Sequence, residues 1–499
     1  MLNAVIRFSL RHRSLVLLAA GLLLLFGGLY AARLPLDVFP DVSAPTVTVV
    51  TEATGLAPEE VEILVTFPLE SMLNGAPGVR RVRSVSAAGI SVVWVEFGWG
   101  EDVYRTRQVV SERLQGAQLP AGVDPPQLGP VSSVMGEITF IALTSSSPTS
   151  KAPAVSPMEL RRLAETVVRR SLLSVPGISQ VVPIGGDVRQ YEVEADPLAL
   201  AQRGLTVDDL VEALSGASRA SAAGFHVDRG QEYLVRGLGR ARGTADLAAT
   251  VLDLENGVPV TVGDVAAVRE APEPQRGTAS YKTRPAVILS VQKQPDANTL
   301  DLTREIDRLL AGLARSLPEG VSIETENFRQ ADFIEVAIAN VLAALRDGAI
   351  LVVIVLFLFL GNFRATLISA LAIPLSLVAG ILVLSLFGQG LNTMTLGGLA
   401  IAIGALVDDA IIDVENVFRP LRQEKLRQEK AKPQGERRSA LEVVFEASSE
   451  VRGAILFATL IIVLVFLPLF FLPGMEGRLL RPLGLAYVAA LVASLLVSL

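Results

Sequence analysis

The 499-residue sequence contains no cysteine and only two histidines, His12 and His226, which lie far apart. Without cysteine no disulfide can hold any part of the chain together, so each domain must bury a core of its own. No Cys/His cluster matches a zinc pattern either. A G-x-x-x-x-G-K-[ST] phosphate loop is also missing. That removes the usual ATP motor and leaves an ion gradient as the energy source. The net charge is −7 and no basic block dominates, which argues against nucleic acid as a partner.

Charge is also what several long stretches lack. Residues 14–32, 365–407, 453–475 and 482–499 carry none, and 336–363 is interrupted only by Arg346 and Asp347. A bilayer core about 30 Å thick takes roughly 20 apolar helical residues to cross. Six spans are therefore expected, in 1–33, 336–363, 365–387, 391–417, 452–475 and 482–499. The 365–407 run divides at Gly388-Gln389-Gly390. The first span is longer than the core of a secretory signal and shows no obvious cleavage site.

Arg7, Arg11 and Arg13 at the start, and eight Lys or Arg residues in 419–438, mark cytoplasmic sides. The 300 or so residues between the first two spans then lie outside, and 418–451 reads as a cytoplasmic loop.

The outer region repeats itself. Pro58-Glu59-Glu60 and Pro157-Met158-Glu159 are helix-start signals 99 positions apart. Pro77-Gly78 and Pro176-Gly177 close those helices at the same offset. Leu119-Pro120-Ala121-Gly122-Val123 recurs as Leu317-Pro318-Glu319-Gly320-Val321 at twice that offset, so the second copy holds an insertion.

Each copy reads βαββαβ, the ferredoxin-like pattern. The expected fold is an α-helical multi-pass membrane domain plus an α+β outer domain. The outer domain comprises one repeat over 34–134, a second split between 135–194 and 275–335, and an inserted subdomain over 195–274. Within the insertion, 206–214 reads as a helix, 215–224 as a loop of small residues and 232–235 as a strand. The insertion is either a decoration or an arm that docks a neighbour.

The sharpest functional signal is Asp408-Asp409 in the fourth apolar stretch. With Arg419 at the cytoplasmic edge, Asp408 lies eleven residues inward, about 16 Å. A carboxylate at mid-bilayer is costly and is a functional-site hypothesis by default. Two adjacent ones suit a site where protonated and ionised forms lie close in energy, which is what proton exchange needs. Glu415 shares the face of Asp408, two turns on. With Asn416 it reads as a lock on the helix end. Asp413 lies off that face, at the expected edge where charge is cheap. Met394, in the fourth span, is a weak candidate soft-metal ligand, and packing is its ordinary role.

Three motifs together are similar to the resistance-nodulation-division transporters. They are Leu34-Pro35-Leu36-Asp37-Val38-Phe39-Pro40-Asp41, Leu391-Asn392-Thr393-Met394-Thr395-Leu396-Gly397-Gly398, and Asp408-Asp409 with Val414-Glu415-Asn416. Thr66-Phe67-Pro68-Leu69-Glu70, Asn74-Gly75-Ala76-Pro77-Gly78-Val79 and Gln127-Leu128-Gly129-Pro130 resemble the heavy-metal efflux, CusA/CzcA-type branch.

The resemblance implies an inner-membrane, proton-driven secondary transporter with no resident cofactor. It implies homotrimers whose two repeats are porter subdomains in the periplasm, and a docking subdomain whose arm, near 218–229, reaches the next protomer. Partners would be a periplasmic adaptor and an outer-membrane channel. Asp408 and Asp409 would form the proton relay. Family members carry a second half with six more spans, which holds the relay's lysine and most metal-selecting residues; here the sequence ends at Leu499 within span six.

Metal cations and organic compounds stay open as cargo. Ala402 and Asp409 stand where cobalt-zinc-cadmium members often have an acid and a glycine, and a double aspartate is more usual in drug pumps. The low aromatic content, 5%, leans towards metal. A membrane-anchored sensor or scaffold is the remaining class, and it has no need of mid-membrane aspartates.

Overall fold

The computed structural model describes residues 2–34, 36–37, 44–131, 136–145, 154–255, 257–275, 277–295, 297–430 and 439–498. The motif residues Pro35 and 38–41, and the loop centre 431–438, lie outside that set.

The chain opens with a short helix, α1 (Leu2–Arg11), and the first apolar helix, α2 (Arg13–Ala31). After β1 (Leu36–Asp37) it builds a first sheet from β2 (Thr46–Glu52), β3 (Val79–Ala87), β4 (Ile90–Phe97) and β5 (Gln127–Leu128). Helix α3 (58–73) connects β2 to β3, and α4 (Val103–Leu114) follows β4. The strands run in the order β3-β4-β2-β5. In β2 the inward residues Val47 and Val49 are fully buried, and they meet Val65, Leu69 and Leu73 from α3. Pro58 opens α3 after Glu60 has reached back to the Ala57 N–H (2.9 Å). A π-turn over Glu62–Thr66 absorbs the missing N–H of Pro68.

The second sheet uses β6 (Glu137–Ser145), β7 (Ile178–Ile184), β14 (Ser280–Tyr281), β15 (Arg284–Lys293) and β16 (Val321–Glu324), with α5 (157–173) and α9 (Thr299–Leu313) packed on it. Its main strands run β7-β15-β6-β16, the same spatial order as the first sheet. Between β7 and β15 the chain makes an excursion. It contains β8 (Arg189–Ala195), α6 (Pro197–Gln202), α7 (Val207–Gly216), β9 (Ser221–Asp228), β10 (Gln231–Gly237), α8 (Thr244–Ala248), β11 (Val251–Glu255), β12 (Val258–Thr261) and β13 (Ala266–Pro272). β8 and β13 form the antiparallel neck. Strand β9 takes up part of the stretch read as a small-residue loop. Arg229 and Gly230, both at positive φ, form its turn with β10, the backbone a two-residue hairpin demands.

Five further apolar helices complete the bundle with α2. They are α10 (Gln330–Leu360), α11 (Phe363–Leu386), α12 (Thr393–Lys430), α13 (Ala440–Phe466) and α14 (Gly474–Ser498). Among the described residues, six helical stretches are long and apolar enough to cross a membrane. Gly361 in the left-handed region and Asn362, which accepts from the Arg364 N–H (3.0 Å), turn α10 into α11.

The helices overrun the apolar stretches, and the segment read as a cytoplasmic loop is helical at both ends. Residues 419–430 are nearly all Arg, Lys, Glu, Gln and Leu, strong helix formers that carry α12 on to Lys430. Ser439 and Glu442 form a capping box that starts α13 well before residue 452.

Contacts between the β-rich domain and one end of the bundle fix the polarity of both. β1 pairs in parallel with β17 (Leu391–Asn392) just before α12. Lys293 of β15 lies 3.8 Å from Asp37. The Arg478 guanidinium stacks 4.5 Å above the Trp99 ring. Arg329, at the start of α10, grips Asp307 of α9 through two 2.9 Å bonds.

Candidate functional site

The site is built on α12 and the helices against it. Asn392 and Thr395 cap the helix reciprocally: the Thr395 N–H donates to Asn392 Oδ1 (2.9 Å) and the Asn392 N–H to Thr395 Oγ1 (2.8 Å). Gly398 then lets α14 approach. A Cβ there would sit 2.3 Å from the Leu483 carbonyl oxygen and 3.0 Å from Ala486 Cβ. Such small-residue contacts let helices pack closely in lipid. Leu399, Ala402 and Leu406 are buried together with Ala486, Ala490 and Leu491 of α14.

Asp408 and Asp409 follow directly, within unbroken helix. Asp408 is fifteen residues from Thr393, about 22 Å along the axis. The side chains of residues 407–410 lie outside those described. The backbone nonetheless carries the pair through the stretch that α14 covers, far from the capped end.

One turn further on, Asp413 departs from the expectation of a cheap, edge-exposed charge. Only 13% of its side chain is exposed, and Arg452 of α13, 3% exposed, comes within 3.9 Å of it. Arg452 stands twelve residues into α13, about 18 Å, because that helix starts at Ala440. It donates to Ser448 Oγ (2.7 Å) and to Ser498 Oγ and its carbonyl oxygen (3.3 Å each). Three helices thus meet at one arginine. Asn416 donates to the Ala447 carbonyl oxygen (2.7 Å), a second tie from α12 to α13. Glu415 is exposed.

Asp413 and Arg452 are functional candidates that sequence reasoning passed over. The signal was present: Ser439-x-x-Glu442 marks a helix start that places Arg452 well inside α13.

Met394 is half-buried in the first turn of α12, fourteen residues before Asp408. Among the described residues no group of three His, Asp or Glu side chains could hold a metal ion. His12 and His226 are exposed, one near the start of the bundle and the other on the β9–β10 hairpin. What α12 offers is carboxylates at the end of its uncharged stretch, chemistry suited to carrying protons.

Residues 5–499 match the AcrB/AcrD/AcrF family. The chain is 36% identical over 502 residues to the cation efflux system protein CzcA of Alcaligenes sp., covering 100% of this chain and 47% of that protein. It is 35% identical over 503 residues to the cation efflux system protein CusA of Escherichia coli, again covering 100% and 47%. The crystal structure of a heavy metal efflux pump superposes with a TM-score of 0.86 at 28% identity, covering 99% of this chain and 47% of that one. The chain therefore spans about half the length of the relatives it matches.

Proposed function

Since the chain belongs to the AcrB/AcrD/AcrF family, we propose that it forms part of a proton-driven exporter of heavy-metal cations, a secondary transporter rather than an enzyme. The observation that carries this reading is the adjacency of Asp408 and Asp409 deep in an apolar, α14-covered helix. Carboxylates there are tolerable when reversibly neutralised. Protons taken up from the side of the β-rich domain would neutralise the pair, and release at the far end of the bundle would recharge it. Efflux system relatives and a heavy metal pump of the same fold favour metal cations over organic compounds as cargo.

The topology follows from charge. The arginines of α1 and the basic end of α12 belong on the cytoplasmic side of the inner membrane. The six apolar helices are the spans, and the β-rich domain lies in the periplasm. Its two sheets of like strand order are the porter repeats, and the β8–β13 excursion is the docking subdomain. A homotrimer, a periplasmic adaptor and an outer-membrane channel complete the route across the envelope.

The test is Asp408→Asn and Asp409→Asn in the transporter as the cell makes it. Metal resistance is expected to be lost while membrane abundance stays at the parental level. Parental resistance in either variant would overturn the reading.

A further inference from the structure

Asp413 follows Asp409 by four residues on α12. The two therefore share a helix face, whereas Asp408 lies on a different one. The step from Asp409 to Asp413 runs about 6 Å along the axis, away from the β-rich domain. At Asp413 the chain supplies its own buried cation, Arg452.

A pair built only to hold helices would be short, bidentate and fully bonded, because stripping water from two charges is costly. This pair is 3.9 Å apart. Arg452 directs its hydrogen bonds to Ser448 and Ser498 instead. Its Nε and both carboxylate oxygens of Asp413 find no hydrogen-bond partner among the described residues. The result is a buried carboxylate whose charge is balanced across a 3.9 Å gap and whose oxygens make no close, well-aligned hydrogen bond.

We propose that Asp413 is the next proton carrier after Asp409, with Arg452 as the positioning residue that balances its charge, so that protons leave the membrane centre along one face of α12. A proton released from Asp409 adds to an oxygen of Asp413, directly or through one water. The O–H bond on Asp409 breaks, one on Asp413 forms, and the negative charge moves to Asp409. Asp413 then gives up its proton at the end of the bundle distant from the β-rich domain, and Arg452 stabilises the carboxylate that remains.

Other charges on the packed elements are poorly placed for this step. Glu446 and Glu450 of α13 and Glu415 of α12 are exposed, as is Arg364 at the start of α11. Arg346 and Asp347 of α10 pair with each other at 2.8 Å. Glu476, Arg478 and Arg481 lie at the opposite end of α14.

The inference rests on the proton-driven reading above, and one experiment separates the two. The complete transporter is reconstituted in vesicles with an imposed pH gradient and Zn²⁺ as the probe. Asp413→Asn combined with Arg452→Gln leaves no unpaired buried ion, so the double variant is expected to accumulate normally. Its coupled flux should fall roughly tenfold or more, with a shifted pH profile. Parental flux and an unchanged profile in the double variant overturn the proposal. Should that variant fail to accumulate, Asp413→Glu and Arg452→Lys decide, since both keep the charges: a shifted profile in either supports the proposal, and an unchanged profile in both overturns it. Asp408→Asn is run alongside. Parental flux there brings down the proton-driven reading and this inference with it. Flux lost there but untouched in the double variant brings down this inference alone.

Discussion

Glu96 on β4 shows how the β-rich domain manages a charge it nearly buries. Its side chain is 10% exposed, and Arg81 and Arg83 of the adjacent strand β3 reach it at 2.7 and 2.9 Å. The hydrogen bond from Arg81 holds the Glu96 carboxyl below the usual range near 4.5; desolvation opposes it, and the charges of Arg81, Arg83 and Arg80 add to it. A carboxyl that ionises more easily folded than unfolded stabilises the fold above the unfolded value, and that contribution is lost as pH falls through the lower, folded value. Glu96→Gln should therefore melt below the parent at pH 7. The gap should close progressively below about pH 4.5, as read from thermal unfolding of the purified transporter across pH. A gap that is constant with pH would show that the loss is one of packing.

At this scale the place of Asp408-Asp409 within a continuous helix could be read from the uncharged run before it. The burial of Asp413 beside Arg452 could not, because each looks like an interface charge until the true start of α13 is known. Burial depends on which helix covers a residue, and one helix's own sequence does not carry that.

Elements were legible where local chemistry decides them. The helix starts at Pro58 and Pro157 and the succession of strands and helices follow from punctuation and alternation, whereas the spatial order of the strands comes from the structure alone. The Leu391–Leu399 motif turns out to be local chemistry as well: Asn392 and Thr395 cap α12, and Gly398 admits the backbone of α14. Gly398→Leu should accordingly separate α12 from α14 and deplete the folded transporter from the membrane, since a carbonyl oxygen 2.3 Å from the new Cβ cannot move without moving α14. Gly312, in the last turn of α9, is the contrast, because a methyl group added there would meet nothing within 4 Å. There Gly312→Ala should raise stability by about 0.5 kcal/mol, visible as a small upward shift in melting temperature. The β9–β10 hairpin was the element least legible in advance, because Arg229-Gly230 is a weaker turn signal than Asn-Gly and small residues dominate the first half of β9.

On the scale of the whole molecule, that hairpin is the part the chain leaves unfinished. Among the described residues β9 and β10 pair only with each other, and an isolated two-stranded ribbon is marginal in water. Phe225 and Leu234 form a cross-strand apolar pair, yet they are 66% and 59% exposed. Val227 and Tyr233 are equally open, at 65% and 51%. Covering a side chain such as Phe or Leu contributes about 1.5–3 kcal/mol, so a subunit seated on this ribbon would order it and gain affinity in one step. In the homotrimer proposed above, the hairpin would be the arm that crosses to the next protomer. Phe225→Asp places a charge in the centre of that patch and leaves the arm's own strand pairing intact, since β9 backbone hydrogen bonds do not involve the side chain. The expected outcome is a transporter of parental abundance whose native mass in mild detergent falls from trimer to monomer, with resistance reduced in step. A variant that remains trimeric at the same concentration would show that the contact holding the protomers together lies elsewhere, in the bundle or the porter sheets.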